Sequence, residues 1–348
     1  MKITWDGPVG DNSGYGVASR NYARELMKLC DVKVVSIGGR YPDKEMAETR
    51  FKDDIGRIKI VHDIPTRPAD VYYTVFEMNQ APKKWGKWLD EAKMVFTPSV
   101  HSVASLSTVM KLESIRNIRV IHHGVDFNEF NTDVKPASFI GQEISDMYKF
   151  LYVAEWVDRK RIPQLVHCFC EEFKADENIC LLLKVHSTVV PVNRLIRKAM
   201  ISGKENVFLL GGHYPSLAPI YRAVDCYVSS SSCEGWGETM SEAAACGIPI
   251  ITGMNGGQTE FLRHDSNVDA CFVRTHEEPI MHNDLEPTIE PWFRHWPLMD
   301  YDLKDAMRQA IKYPDDFKET AVSALENIKQ FTWEAAAQKM IKCLEEIQ

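Results

Sequence analysis

Short apolar runs alternate with helical stripes along most of the chain. Residues 3–5 read as a strand, residues 7–16 as a turn holding four glycines, residues 17–29 as an amphipathic helix and residues 32–37 as a second strand. Buried-type strands recur at 71–76, 94–97 and 120–122, with a helical stripe at 100–110. This order predicts a doubly wound parallel α/β domain. Periodicity fades over 127–145, where Pro136 and Gly141 stand, and a linker is expected there. A second series follows, with strands at 150–154, 180–185, 207–210 and 226–228, helices at 163–173, 192–200 and 217–223, and a further short helix and strand within 229–262. From 264 to 301 the pattern breaks down, and the segment reads as a long irregular excursion. Helices at 303–311, 317–328 and 333–347 close the chain.

Composition narrows the class. A chain of 348 residues is long for one core and suits two domains. Apolar residues at 45% and charged residues at 26% describe a soluble globular protein. A net charge of -8 argues against nucleic acid as the main partner. Nine cysteines without a CxxC pair read as reduced, buried thiols in a cytoplasmic setting. The first ten residues read as a strand and a turn, not a signal peptide, and no apolar run reaches spanning length.

The chemistry concentrates in residues 229–262, SSSSCEGWGETMSEAAACGIPIITGMNGGQTEFL. The segment follows a strand, and ligands of open α/β sheets bind beyond the carboxyl ends of strands. Gly235 and Gly237 leave the backbone open to close approach, and Glu238 and Thr239 fall where a helix begins. Backbone amides there form an anion site suited to a phosphate group. Two readings stand for Glu242. It closes a capping box from Thr239, or it accepts from a ribose diol. Glu234 is either a solvated loop carboxylate or a partner for sugar hydroxyls. Gly247 and Pro249 end the helix.

Glu234 and Glu242 stand in the frame E-G-[aromatic]-G-x-x-x-x-E-A-x-A-x-G-x-P, which resembles the E-x7-E signature of retaining GT-B glycosyltransferases of family 4. Residues 153–160 resemble that family's G-R-…-K loop, 206–211 its N-V-x-F-L-G strand, and 255–260 its x-G-G-x-x-E turn. Residues 120–126 resemble its V-I-P-N-G-V-D segment, and Phe331-Thr332-Trp333 the F-[ST]-W opening of its last helix.

The resemblance implies a GT-B fold: Rossmann-like domains at 1–135 and 146–328 facing across a cleft, with residues 329–348 crossing back to the first domain. It implies transfer of a hexosyl group from a UDP- or GDP-sugar to a hydroxyl acceptor, such as a glycan or lipid-linked saccharide, in polysaccharide biosynthesis. No cofactor and no metal are implied. Glu242 would bind ribose, Glu234 the donor sugar, and the backbone of Gly235, Trp236, Gly237, Glu238 and Thr239 sugar and diphosphate. Lys160 would stabilise the leaving group, with Glu234 and Lys160 as the catalytic pair. Gly211 and His213 would read the base, and Gly16, in Ser13-Gly14-Tyr15-Gly16, would approach the diphosphate. Tyr15, Glu77, His101 and His123 fall on the acceptor side. One departure stands out: Glu155 occupies the position of a usual arginine, and a carboxylate cannot replace a guanidinium on phosphate. Arg159 or Arg161 then takes over, amides and Lys160 hold the diphosphate alone, or transferase activity is weakened or lost.

Three further patterns have plainer readings. Asp300-Tyr301-Asp302 has the D-x-D form of metal-dependent transferases, yet Asp302 is a natural N-cap for Leu303 onward. Lys83, Lys84, Lys87, Trp85 and Trp88 make a basic, aromatic patch that reads as a solvated helix face; peripheral attachment at the inner membrane face is the alternative. Trp292 and Trp296 could stack on a sugar or pack a loop. A sugar-nucleotide-binding scaffold without turnover, or a GT-B epimerase, remains the alternative to a transferase.

Overall fold

The computed structural model describes residues 1–138, 144–186, 206–212, 214–265, 268–279 and 293–348. The helix expected at 192–200, residues 139–143 of the expected 127–145 linker, His213 and Trp292 lie outside these residues. The chain divides into two compact units, Met1–Gly124 with Gln330–Gln348, and Val125–Lys329.

The first unit holds a six-stranded sheet of β1 (Lys2–Gly7), β2 (Asp31–Ser36), β3 (Ile58–His62), β4 (Val71–Tyr73), β5 (Met94–Thr97) and β6 (Ile118–Val120). Their order is β2-β1-β3-β4-β5-β6, and every neighbour pair is parallel. Helix Gly14–Leu29 starts three residues before the expected boundary, because Ser13 caps it through the Gly16 amide. The glycines at 14 and 16 therefore belong to the first helical turn. Helix Trp333–Leu344 packs on helix Gly14–Leu29 and places Trp333, Ala337 and Met340 in the same core as Trp5 and Tyr22. Gly124 is required at this join, since a Cβ there would lie 2.1 Å from the Trp333 nitrogen.

The second unit holds β7 (Tyr148–Glu155), β8 (Ile179–His186), β9 (Val207–Leu209), β10 (Cys226–Val228), β11 (Ile250–Gly253) and β12 (Cys271–Val273), ordered β12-β11-β10-β7-β8-β9 and again parallel. Two strands escape the sequence pattern. In β3 the alternation is blurred by Lys59 within it and by Arg57 and Asp63 at its ends, and β12 is only three residues long inside a polar tract. The tract from 264 to 301 is thus less irregular than expected. It completes the sheet with β12 and adds an antiparallel ribbon of β13 (Glu278–Pro279) and β14 (Arg294–His295). Each unit is thus an α/β layer, a parallel sheet with helices packed on it. Among the described residues no helix is long and apolar enough to cross a membrane.

Candidate functional site

The site begins where β10 ends. Past Val228 the run Ser229, Ser230, Ser231 and Ser232 is buried, and its polar groups hold a second loop in place. The Ser232 amide donates to the Arg159 carbonyl at 2.7 Å, and the Ser232 and Ser231 hydroxyls reach the same oxygen at 3.0 and 3.4 Å. The Ser230 hydroxyl donates to the carbonyls of Lys160 at 2.8 Å and Arg161 at 3.2 Å. Tyr152, on β7, donates to the Lys160 carbonyl at 3.0 Å. Buried hydroxyls must find acceptors, and here those acceptors are the main chain of a short basic turn, Asp158–Lys160. The serine run is a rack for that turn.

The rack aims the turn at Glu234. The Lys160 ammonium pairs with Glu234 Oε1, and Arg159 Nη1 lies 3.4 Å from Glu234 Oε2. Glu234 is buried, at 6% exposure. Burial alone would push its carboxyl upward, but the charges of Lys160 and Arg159 and hydrogen bonds from Lys160 and Ser231 outweigh it, so the group sits below its ordinary range. Glu234 is therefore ionised at neutral pH, inside a cluster of two cations and one anion. The expectation of a solvated loop carboxylate does not hold.

The turn at 255–260 braces Glu234 from the other side. Glu234 and Gly256 form an isolated parallel bridge, and the Gly257 amide donates to the Glu234 carbonyl at 2.7 Å. A Cβ at Gly257 would lie 2.0 Å from the Gly235 carbonyl oxygen, so only glycine lets these backbones meet. Asn255 donates to the Ser231 carbonyl at 2.7 Å and ties the turn to the serine rack. Gly237 adopts φ 100° and opens helix Glu238–Ala245 with no side-chain cap.

That start corrects the capping reading of Glu242. Gly237, not Thr239, is the N-cap, and the Thr239 hydroxyl instead bonds the Tyr227 hydroxyl at 2.7 Å. Glu242 sits in the helix body, half-buried, and accepts from the Tyr221 hydroxyl at 2.9 Å. Burial raises its carboxyl to about 8, against the ordinary 4.5, with smaller upward pushes from Glu238 and Glu129 and a downward one from Tyr221. The two glutamates of the motif therefore differ in charge at neutral pH. Glu234 is an anion, and Glu242 is largely a neutral acid.

The remaining expected residues scatter. Trp236 is buried and packs its ring 4.9 Å from Phe261, so only its backbone is available to a ligand. Gly211 is exposed after β9, where Lys184 donates to the next carbonyl, Gly212, at 2.9 Å. Glu155 is exposed at the end of β7, while Arg161 turns away from Glu234 and pairs with Glu278 at 3.2 Å. Of the two candidate replacements for the missing arginine, Arg159 alone reaches the cluster.

In the first unit, Gly16 is packed so closely on Asp11 that a Cβ would lie 2.2 Å from its carbonyl oxygen. Tyr15 is half-buried, stacks on His62 at 4.9 Å and accepts from the Val75 amide at 3.0 Å. The Glu77 carbonyl and His101 Nε2 are 2.6 Å apart, so these two are brought together beyond β4. His123 is buried among Tyr22, Tyr73 and Trp333.

The plainer readings fare unevenly. Asp302 does not cap its helix, which starts at Asp300 with Met299 as N-cap; it grips Arg274 in a two-bond pair at 2.5 and 2.7 Å. Among the described residues no group of three His, Cys, Asp or Glu is arranged to hold a metal. Trp85 is buried against Phe76, with Lys83, Lys84 and Lys87 exposed around it. Trp296 is half-buried and donates its amide to the Ser232 carbonyl at 2.9 Å.

Sequence reasoning missed the serine rack, Tyr221 and Asn255. The signal for the first was present: four consecutive serines between a strand and a glutamate are an unusual number of hydroxyls to bury.

Residues 135–278 match the family described as glycosyl transferases group 1. The matched segment spans the basic turn, the serine rack, both glutamates and the 255–260 turn. The structure is similar to HepE from Anabaena in complex with UDP-glucose, at 13% identity and TM-score 0.73, covering 99% of this chain and 100% of that one. It is similar to sucrose-phosphate synthase from Thermosynechococcus elongatus at 16% identity and TM-score 0.71, covering 100% and 99%. It also resembles WaaG, a glycosyltransferase involved in lipopolysaccharide biosynthesis, at 11% identity and TM-score 0.68, covering 98% of each chain. No curated protein sequence matches the chain. The fold is GT-B, and the second unit carries a glycosyltransferase domain, so the chain is a glycosyltransferase-class enzyme.

Proposed function

We propose that the chain is a retaining, metal-independent glycosyltransferase of family 4 type, moving a hexosyl group from a nucleoside diphosphate sugar to a hydroxyl acceptor in polysaccharide biosynthesis. The observation that carries this reading is the meeting of Lys160 and Arg159 on buried Glu234, beyond the carboxyl end of β10.

Two cations on one carboxylate leave a net positive charge in a site with little water. A diphosphate docking there meets preformed charge, and the charge that develops as the sugar leaves is stabilised without reorganisation. Arg159 supplies the guanidinium that Glu155 cannot. Glu234 then accepts from hydroxyls of the donor sugar, and Glu242 from the ribose diol. In the reaction the bond from C1 to the diphosphate oxygen breaks, and a bond from C1 to the acceptor oxygen forms on the same face. The acceptor proton passes to the departing diphosphate. UDP is the first nucleotide to test, since HepE binds UDP-glucose on the same fold. The first unit supplies the acceptor side, with Tyr15, Glu77 and His101 as its residues.

The test is incubation with UDP- and GDP-sugars and a panel of glycan and lipid-linked acceptors, followed by NMR. Release of nucleoside diphosphate with a product of unchanged anomeric configuration supports the reading. An inverted product overturns retention. Binding without turnover or donor hydrolysis, for every pair tried, favours a sugar-nucleotide-binding scaffold.

A further inference from the structure

We propose that a cavity at the start of helix Ile162–Glu172 is a binding site for a neutral saccharide unit, separate from the Glu234 cluster. The cavity has a volume of about 390 Å³, and all its walls belong to the second unit. That volume falls within the range of about 300–1,000 Å³ common to small-molecule sites.

The lining brings one indole side chain, Trp156, together with planar polar groups. Trp156 follows β7 and is half-buried, with its amide tied to the His186 carbonyl at 2.8 Å. Asp158, Arg161, Gln164, Glu278 and His295 line the same cavity. Glu278 and His295 face each other across the β13–β14 ribbon and meet at 3.2 Å. Arg161 joins the same carboxylate at 3.2 Å and Gln164 Oε1 at 3.3 Å. His276 Nε2 meets the other Glu278 oxygen at 3.3 Å. A guanidinium has five N–H groups and a carboxylate about four lone pairs, so after these contacts the pair still keeps Arg161 donors beside a remaining Glu278 acceptor site. Adjacent donor and acceptor groups beside an indole face match the vicinal hydroxyls and apolar ring face of a sugar.

Charge decides against a phosphate or other anion. The charged lining is one cation, Arg161, and two anions, Asp158 and Glu278, while burial and Arg161 hold His295 toward its neutral form. The backbone of Arg161 supports the same view. It is the one non-glycine residue at positive φ among the described residues, at 51°, and this conformation swings its side chain to Glu278 while its neighbours Arg159 and Lys160 reach Glu234. The His295 imidazole also bonds the Ser232 hydroxyl at 2.7 Å, which holds the Arg159 carbonyl at 3.0 Å. An occupied cavity therefore rests against the rack that positions the basic turn.

The experiment titrates the full chain with methyl glycosides of glucose, galactose, mannose and N-acetylglucosamine and with their α- and β-linked disaccharides, read by saturation-transfer NMR. At least one of them binds saturably. Its affinity is unchanged in Glu234→Gln and falls about tenfold or more in Trp156→Ala and in Glu278→Gln, while Trp156→Phe keeps most of it. A tenfold loss corresponds to about 1.4 kcal/mol. Absence of saturable binding across the panel overturns the proposal. So does a sugar whose binding is lost in Glu234→Gln and kept in Trp156→Ala and Glu278→Gln, since that sugar occupies the donor site. If Trp156→Ala fails to fold, as judged by circular dichroism, Glu278→Gln and Trp156→Phe decide. UDP binding, followed in parallel, reports on the donor site alone, so failure here leaves the donor reading standing.

Discussion

Replacing Glu242 by Gln should make the protein more stable at alkaline pH. The carboxyl is held at about 8 in the fold, against an ordinary 4.5, chiefly by burial. An acid whose folded pKa is raised favours folding in its protonated form. Its contribution is complete below about pH 4.5 and is lost as pH rises to about 8, because the unfolded chain ionises first. The gap between 4.5 and about 8, at about 1.4 kcal/mol per unit, sets a ceiling of about 5 kcal/mol. Gln keeps the shape and can still accept from Tyr221, but does not titrate. Urea unfolding of both proteins, repeated from about pH 5 to about pH 9, checks this. The stability of Glu242→Gln relative to the parent should climb up to about pH 8 and then level off. A difference that stays flat across the range would refute the reasoning, since Glu242 would then be ionised in the fold at every pH tested.

Three further outcomes follow from the same geometry. Lys160→Ala should lower kcat by about a hundredfold to a thousandfold, as loss of one preorganised charge on the leaving group does, and should raise the Glu234 pKa; steady-state kinetics and carboxyl NMR read the two effects. Ser232→Ala removes a hydroxyl shared between the Arg159 carbonyl and His295, so a loss of about 1 kcal/mol in stability is expected, with kcat falling more than KM rises. Gly257→Ala would place a Cβ 2.0 Å from the Gly235 carbonyl and should abolish donor binding even where thermal unfolding shows the fold retained; normal UDP affinity in that variant would mean the loop has room that the backbone geometry denies.

The sequence disclosed the repeated α/β order because buried parallel strands are continuous apolar runs, as in FLYVA of β7 and ICLLL of β8. It failed at β3 and β12, where strands are interrupted by charge or are too short to show a period. The two motif glutamates were legible as a spacing, but their difference was not. Glu234 is ionised through contacts with Lys160 and Arg159, more than seventy residues away in sequence, and Glu242 is neutralised by a pocket closed by Tyr221. The capping reading of Thr239 and Glu242 failed for a local reason: the left-handed conformation of Gly237 starts the helix two residues early. Which arginine replaces the one absent at Glu155 is decided by the serine rack and the left-handed turn at Arg161, neither of which has a periodic signature. The motifs at 153–160, 234–242 and 255–260 thus pointed to the site, while tertiary contacts set the charge of each group in it.

Calorimetric titration of UDP and UDP-glucose into the parent chain and into an Arg159→Ala, Lys160→Ala double variant tests the central claim most directly. The account predicts saturable binding of at least one nucleotide to the parent and a loss of about a hundredfold or more, near 3 kcal/mol, in a double variant that still unfolds cooperatively. Equal affinity in the two proteins would contradict it, because the diphosphate would then be held without the basic turn on Glu234.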